Sequence, residues 1–300
     1  MNSIFLDSSC DDASRRRLLF DGQLLAYSPR RSSLALVEFS RGLIREAFGE
    51  LDPEEAQHQL EVERYVEILA ALKPTFINHP TSKQLVAGIL DELGCDLDKT
   101  YFDVPRMRTA TSDAYLTSGL GYAFHPHRDT WYAAPMCQVN WWLPIYEIEP
   151  NNAMAFHCRY WSRPIANESA EFAYDDYVNN ARKNAAQYVR QDTRKQPHPI
   201  EPVELDPQFR VITRVGGLLL FSAAQLHSTV PNTSGRTRFS IDFRTVHVDD
   251  VAARAGAANL DSHCTGTALR DFFRASDLAK LPEDLVRPFD SSPDGLGPET

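Results

Sequence analysis

Two histidines and an aspartate are the residues of this chain best placed to do chemistry together. The segment Phe124-His-Pro-His-Arg-Asp-Thr-Trp-Tyr132 contains His127 and Asp129. On an extended strand, residues two apart point to the same side. The pair can therefore offer an imidazole nitrogen and a carboxylate oxygen to one ion. A third ligand can come from anywhere in a fold, and His227 is the best candidate. It follows the run Gly216-Gly-Leu-Leu-Leu-Phe-Ser222, where a buried apolar strand gives way to a polar turn. Two imidazoles and one carboxylate on one face of an ion leave positions open, which suits a mononuclear Fe(II) centre that also takes a co-substrate and oxygen. For each histidine alone, a hydrogen-bonded place at a strand end is the simpler reading. His125 shares a side with His127 and is read as a supporting residue rather than a ligand.

Arg238 follows eleven residues after His227, within Arg236-Thr-Arg-Phe-Ser-Ile-Asp-Phe-Arg244. Strand periodicity puts Arg238, Ser240, Asp242 and Arg244 on one face and Phe239, Ile241 and Phe243 on the other. A guanidinium beside a hydroxyl inside a closed site makes a receptor for a planar carboxylate. The alternative is a solvent-facing charged strand, and Arg236 replaces Arg238 if the register differs by two. Along residues 137–146, Cys137, Val139, Trp141 and Leu143 form one face; Gln138, Asn140 and Trp142 form a more polar one that suits a small-molecule site. Asn140 is a candidate donor to a co-substrate, with an ordinary core hydrogen bond as the alternative. Trp131, Tyr132, Trp142 and Arg106 are candidate substrate contacts; core packing for the aromatics and a surface place for Arg106 and Arg108 are the competing readings. Residues 181–195 hold Arg182, Lys183, Arg190, Arg194 and Lys195 against Asp192 alone. Such a stretch can attract an anionic substrate, or it is a solvated helix face.

The elements that must position these residues change character near residue 100. Before it, apolar spacing predicts helices over 33–48, stopped by Gly49, and over 82–93, stopped by Gly94. Between them, Asp52 as N-cap and Pro53 at the first position predict a helix from there to Leu72, ahead of Pro74. After residue 100 come short β-rich runs: 101–108, 122–129, 137–146, 153–157, 209–215, 218–222 and 236–248. Many strands without intervening helices predict a sandwich or barrel. The polar stretch 159–207 is expected to be a partly helical, lid-like insert, and the Pro-bearing tail from Pro282 to be loose. The expected fold is mainly β with N-terminal helices. A helical layer (1–99) packs on a β core (100–250), and a C-terminal helix and tail follow (251–300), as one structural domain.

Composition narrows the function classes. Hydrophobic residues at 43 % and charged residues at 24 % are those of an ordinary globular chain, and 300 residues suffice for a large core. The formal charge of −10 argues against a nucleic-acid partner. No apolar run approaches a membrane span, and the acidic start lacks a signal-peptide pattern, so a cytoplasmic location is expected. Five scattered cysteines without C-x-x-C read as free thiols.

The H-x-D pair, the distal histidine behind a Gly-Gly-apolar strand and the Arg-x-Ser eleven residues on resemble the Fe(II)/2-oxoglutarate-dependent dioxygenases. The phytanoyl-CoA dioxygenase-like group is the nearest branch: Trp131, Tyr132, Asn140-Trp-Trp-Leu-Pro144 and Asn151-Asn152 match its habits after H-x-D. The resemblance covers about residues 100–248. It departs at Phe156-His-Cys-Arg-Tyr-Trp161, where that group carries Gly-Ser-His. It implies a double-stranded β-helix (a jelly roll, or cupin-like barrel), with iron on His127, Asp129 and His227. Arg238, helped by Ser240, would grip the distal carboxylate of 2-oxoglutarate. The implied reaction hydroxylates or desaturates a small molecule with molecular oxygen, releasing succinate and CO₂. Because Asp129 keeps its carboxylate, the resemblance disfavours halogenation. Two other readings stay open: a metal enzyme of cupin type that does not use 2-oxoglutarate, and a small-molecule-binding barrel without chemistry.

Overall fold

An apolar stripe builds the first layer. In a computed structural model that describes residues 3–117, 125–181 and 196–296, helix α1 spans Asp12–Phe20, α2 Arg31–Phe48, α3 Val62–Asn78 and α4 Pro80–Glu92. Helix α2 buries Leu36, Val37, Ile44 and Phe48, and ends at Gly49, whose φ of +63° ordinary side chains resist. Ser33 lies inside this helix rather than at its cap, where its Oγ accepts the Arg30 N–H. Helix α3 departs from expectation at both ends. Asp52 caps only a local turn, accepting the Glu54 N–H, and the helix starts at Val62. It then runs through Pro74, so the Ala70 carbonyl has no intrahelical donor. Packing compensates, since Tyr65, Leu69, Leu72 and Phe76 are almost wholly buried, each contributing roughly 1.5–3 kcal/mol.

The strands are β1 (Ile4–Leu6), β2 (Leu24–Tyr27), β3 (Thr100–Phe102), β4 (Arg106–Ala110), β5 (Val139–Pro144), β6 (Met154–Phe156), β7 (Phe209–Arg210), β8 (Leu218–Ser222), β9 (His227–Thr229), β10 (Arg238–His247) and β11 (Phe273–Arg274). The major sheet has the order β1-β2-β8-β5-β10-β3-β11, with β4 also pairing β10; the minor sheet has the order β7-β6-β9. All pairs are antiparallel except β1 with β2. The fold is thus a mixed one of helices packed on sheets rather than one built mainly of strands. The N-terminal layer also contributes two strands to the major sheet.

Side-chain alternation divides the major sheet between two cores. Leu25, Val139, Trp141, Leu143, Leu220, Phe239, Ile241 and Phe243 meet α2, α3 and α4. On the opposite face Leu24, Ala26, Trp142, Leu219 and Phe221 meet Met154, Phe156 and Val211. The period of two makes this division automatic once the register is set. The central register pairs Trp141 with Phe243, Asn140 with Arg244 and Trp142 with Asp242.

One other expectation is corrected. The tail is packed as far as it is described: Val286 and Phe289 are buried beside Tyr101 and Leu269, and the Pro293 carbonyl accepts the Met136 N–H. No described helix is long and apolar enough to cross a membrane. The five cysteines are free.

Candidate metal centre

His127 reaches its position without a strand. Pro126 cannot donate to a ladder, and of the expected strand over 122–129 the described residues show a single antiparallel bridge, His127 with His227. In that bridge each histidine N–H donates to the other's carbonyl, both at 3.0 Å. Residues 122–124 of the expected strand lie outside the described residues. Arg128 keeps an extended backbone (φ −106°, ψ 139°), so Asp129 still projects to the side of His127, and a 3₁₀ turn over Asp129–Tyr132 follows. His227 opens β9 and is held from below by Phe221, whose ring centroid lies 4.8 Å from the imidazole.

Donor atoms of His127, Asp129 and His227 lie within 4.8 Å of one another. Asp129 Oδ1 is 3.3 Å from His127 Nε2 and 3.8 Å from His227 Nε2. The far ring nitrogens set the tautomers. His127 Nδ1–H donates to the His125 carbonyl (2.8 Å) and His227 Nδ1–H to the Gln225 carbonyl (2.9 Å). Each Nε2 lone pair then faces the aspartate, as a metal ligand requires. Burial, reinforced by the neighbouring His127, lowers the pKa of His227 to about 4 against the opposing pull of Asp129, so the imidazole is neutral at neutral pH. Burial alone would raise the Asp129 carboxyl. Contact with His127 and His227 and the charge of Arg244 overcome it and hold the group well below the usual carboxylate range. Its Oδ2 is 3.4 Å from Gln138 Nε2 and 3.8 Å from Arg244 Nε.

The centre opens into a cavity of about 470 Å³. Arg238, 6 % exposed, reaches the same cavity from β10. Its Nη1 donates to the carbonyls of Asn152 (3.0 Å) and Ala153 (3.3 Å), and its guanidinium lies 5.7 Å from the Trp142 ring centroid. Burial pulls its pKa down to about 10, opposed by Asp242 and helped by Arg108, which leaves it charged. Arg238 Nε and Ser240 Oγ are both buried without a hydrogen-bond partner among the described residues. Ser240 lies on the Arg238 face of the strand and is fully buried. Arg236 is excluded as its substitute: it is half-exposed and pairs with Glu55 on the outside.

The remaining candidates separate clearly. Asn140 and Trp142 line the cavity; Asn140 Oδ1 accepts from Gln138 Nε2. Tyr132 lines it too, its ring edge-on to His127. Arg106 lines it and pairs with Asp103. Trp131 does not reach the cavity. It is wholly buried against Ile165 and Leu226, with Nε1–H donating to Asp261 Oδ1 at 2.8 Å. His125 lies beside the centre, its Nε2 3.1 Å from the Pro197 carbonyl, outside the triad. Within the 159–207 insert, Tyr174, Tyr177 and Gln196 form cavity wall; the basic residues of 181–195 lie outside the described residues.

Several wall residues were not singled out by sequence. Phe221, Met154, Asp271 and Phe272 belong to this group, as does Lys73 of α3. For Lys73 a signal existed: it stands at helical spacing from Leu69 and Phe76, on the buried stripe.

No protein-family model and no curated protein matches this chain. Among solved structures, EvdO2 from Micromonospora carbonacea var. aurantiaca complexed with 2-oxoglutarate is similar at 12 % identity and a TM-score of 0.44, over 80 % of this chain and 92 % of that one. The epimerase SnoN in complex with Fe3+, alpha ketoglutarate and nogalamycin RO is similar at 13 % and 0.40, over 79 % and 85 %. The non-heme monooxygenase ThoJ is similar at 11 % and 0.37, over 72 % and 69 %.

Proposed function

We propose that this chain is a mononuclear non-haem Fe(II) oxygenase that uses 2-oxoglutarate and molecular oxygen to hydroxylate or desaturate a small molecule. One observation carries the reading. Two imidazole nitrogens and a carboxylate oxygen converge at a cavity that Arg238 also lines, and Arg238 Nε, like the Oγ of Ser240 on the same strand face, is buried and unsatisfied among the described residues. Buried polar atoms of this kind are costly without a ligand, and a guanidinium with a hydroxyl fits a carboxylate. The donor set of two histidines and one carboxylate fits Fe(II) with open positions.

With iron bound, 2-oxoglutarate and oxygen supply an oxidant strong enough for a C–H bond, and succinate and CO₂ are released. The chain's own residues do the rest. His127, Asp129 and His227 hold the ion, and the carbonyls of His125 and Gln225 keep both imidazoles facing it. Gln138 and Arg244 steady the second oxygen of Asp129. The carbonyls of Asn152 and Ala153 and the Trp142 ring fix the Arg238 guanidinium before any anion arrives, which limits the ordering cost on binding. Asn140 stands close enough to Gln138 to serve the same co-substrate. The two sheets meeting face to face support the double-stranded β-helix reading. Asn140-Trp-Trp-Leu-Pro144 and the Asn151-Asn152 turn, which carries the carbonyls that hold Arg238, support the phytanoyl-CoA dioxygenase-like branch.

The test is an anaerobic titration of the Fe(II)-loaded protein with 2-oxoglutarate, followed by visible absorption. A charge-transfer band is expected to saturate in the native protein and to vanish in His227→Ala. In Arg238→Ala it should need at least tenfold more co-substrate. Iron binding with no band at any concentration would remove 2-oxoglutarate from the reading and leave a metal enzyme of another kind.

A further inference from the structure

The cavity holds a second set of cations that the proposed co-substrate does not use. Lys73 of α3, Arg106 and Arg108 of β4 and Arg244 of β10 all line it. The three arginines share two carboxylates, the buried Asp103 and the partly buried Asp242. Asp242 takes Arg108 (Nε–Oδ1 2.6 Å) and Arg244 (3.1 Å), and Asp103 takes Arg106 and Arg244. Arg244 is committed to three carboxylates, since it also faces Asp129. The other acid of this wall, Asp271, accepts the Tyr174 hydroxyl. Lys73 is only 9 % exposed and sits near both Arg108, whose charge repels its own, and Asp242, whose charge attracts it. Placing a lysine on the buried stripe of a helix, next to an arginine, costs stability, and proteins keep such arrangements chiefly at binding or catalytic sites. Beside this corner the wall is apolar or aromatic, formed by Leu69, Ile77, Tyr177 and Phe272.

We infer that the substrate is a small organic oxyanion, a carboxylate or a phosphate ester, whose charged group is held by Lys73 and Arg108 with Arg106 beside them, and whose apolar or aromatic body lies along Leu69, Ile77 and Phe272. That the ligand is a substrate rests on the oxygenase reading above; that the corner binds an oxyanion does not. The network places this group one carboxylate away from Arg244 and hence close to the metal ligand Asp129. Arg238 is reserved for the co-substrate, so the cavity has two anion receptors with separate occupants.

Isothermal titration calorimetry at pH 6 on the Fe(II)- and 2-oxoglutarate-loaded protein, kept anaerobic, tests this with benzoate, phenyl phosphate and the uncharged benzamide. At least one of the two anions is expected to bind tenfold or more tighter than benzamide, and which one binds better identifies the oxyanion. Lys73→Met and Arg108→Gln should each weaken that anion at least tenfold while 2-oxoglutarate affinity stays within twofold, which also shows that the variants are folded. Arg108→Lys should recover part of the loss. Equal binding of benzamide, anion binding unchanged in both variants, or no anion binding at all would overturn the proposal. Failure of 2-oxoglutarate to bind the native protein would instead count against the oxygenase reading, and the anions would then be titrated into the Fe(II) protein alone with the same criteria.

Discussion

Lys73 shows how one residue carries a function at a cost to the fold. Burial, with the charge of Arg108 adding and Asp242 opposing, pushes its pKa down to about 7 from an ordinary 10.5. A lysine in the unfolded chain keeps its proton up to the ordinary value, so between pH 7 and 10.5 unfolding takes up a proton and folded stability rises with pH. The gain for one group is at most about 1.4 kcal/mol per pH unit. Lys73→Met lacks this contribution. Denaturant unfolding at pH 7.5, 8.5 and 9.5 is therefore expected to move the stability difference steadily in favour of the native chain as pH rises. A difference that stays flat would mean that Lys73 keeps its proton in the folded protein. Sequence reasoning weighed a cavity place for Arg106 and Arg108 against a surface one, since arginine is mostly exposed unless paired. Asp103 stands only three residues before Arg106, but the partner of Arg108, Asp242, comes from β10, and no local pattern links that pair.

At the scale of elements, the bridge between His127 and His227 ties both ligands to one hydrogen-bonded pair of residues. Metal binding should lock the two together. Amide exchange of residues 127 and 227 is expected to slow by a similar factor when Fe(II) is added without oxygen, and Asp129→Ala should abolish the change. Protection of only one of the two amides would show that they do not move as a unit. The convergence of the triad was legible in sequence because H-x-D needs only one extended residue between its ligands, and Arg128 is extended even though no strand forms around it. Strand β10 was legible almost to its ends because its alternation is strict over a long run. Helix α3 was misread at both termini. The capping residue Asp52 satisfied a turn instead, and burial of Tyr65, Leu69 and Phe76 outweighed the break that Pro74 announces. Trp131 was misplaced for a related reason: its ring prefers the core as readily as a pocket, and the decisive partner, Asp261, lies far along the chain.

For the molecule as a whole, the C-terminal segment is structural. Val286 and Phe289 are 1 % and 2 % exposed in a cluster that includes Phe272, itself part of the cavity wall. Removing residues 282–300 is expected to cost roughly 3–6 kcal/mol from these two side chains alone. A urea midpoint unchanged within error would show that the tail contributes nothing. The ion-pair chain that runs from Arg108 through Asp242 and Arg244 to Asp129 has a thermodynamic consequence. Two binding events joined by such a chain share a coupling free energy, and coupling of this kind is reciprocal. By whatever factor iron alters the affinity of an anion at Arg108, that anion alters the affinity of iron by the same factor, so occupancy of one end is reported at the other without any movement of the backbone.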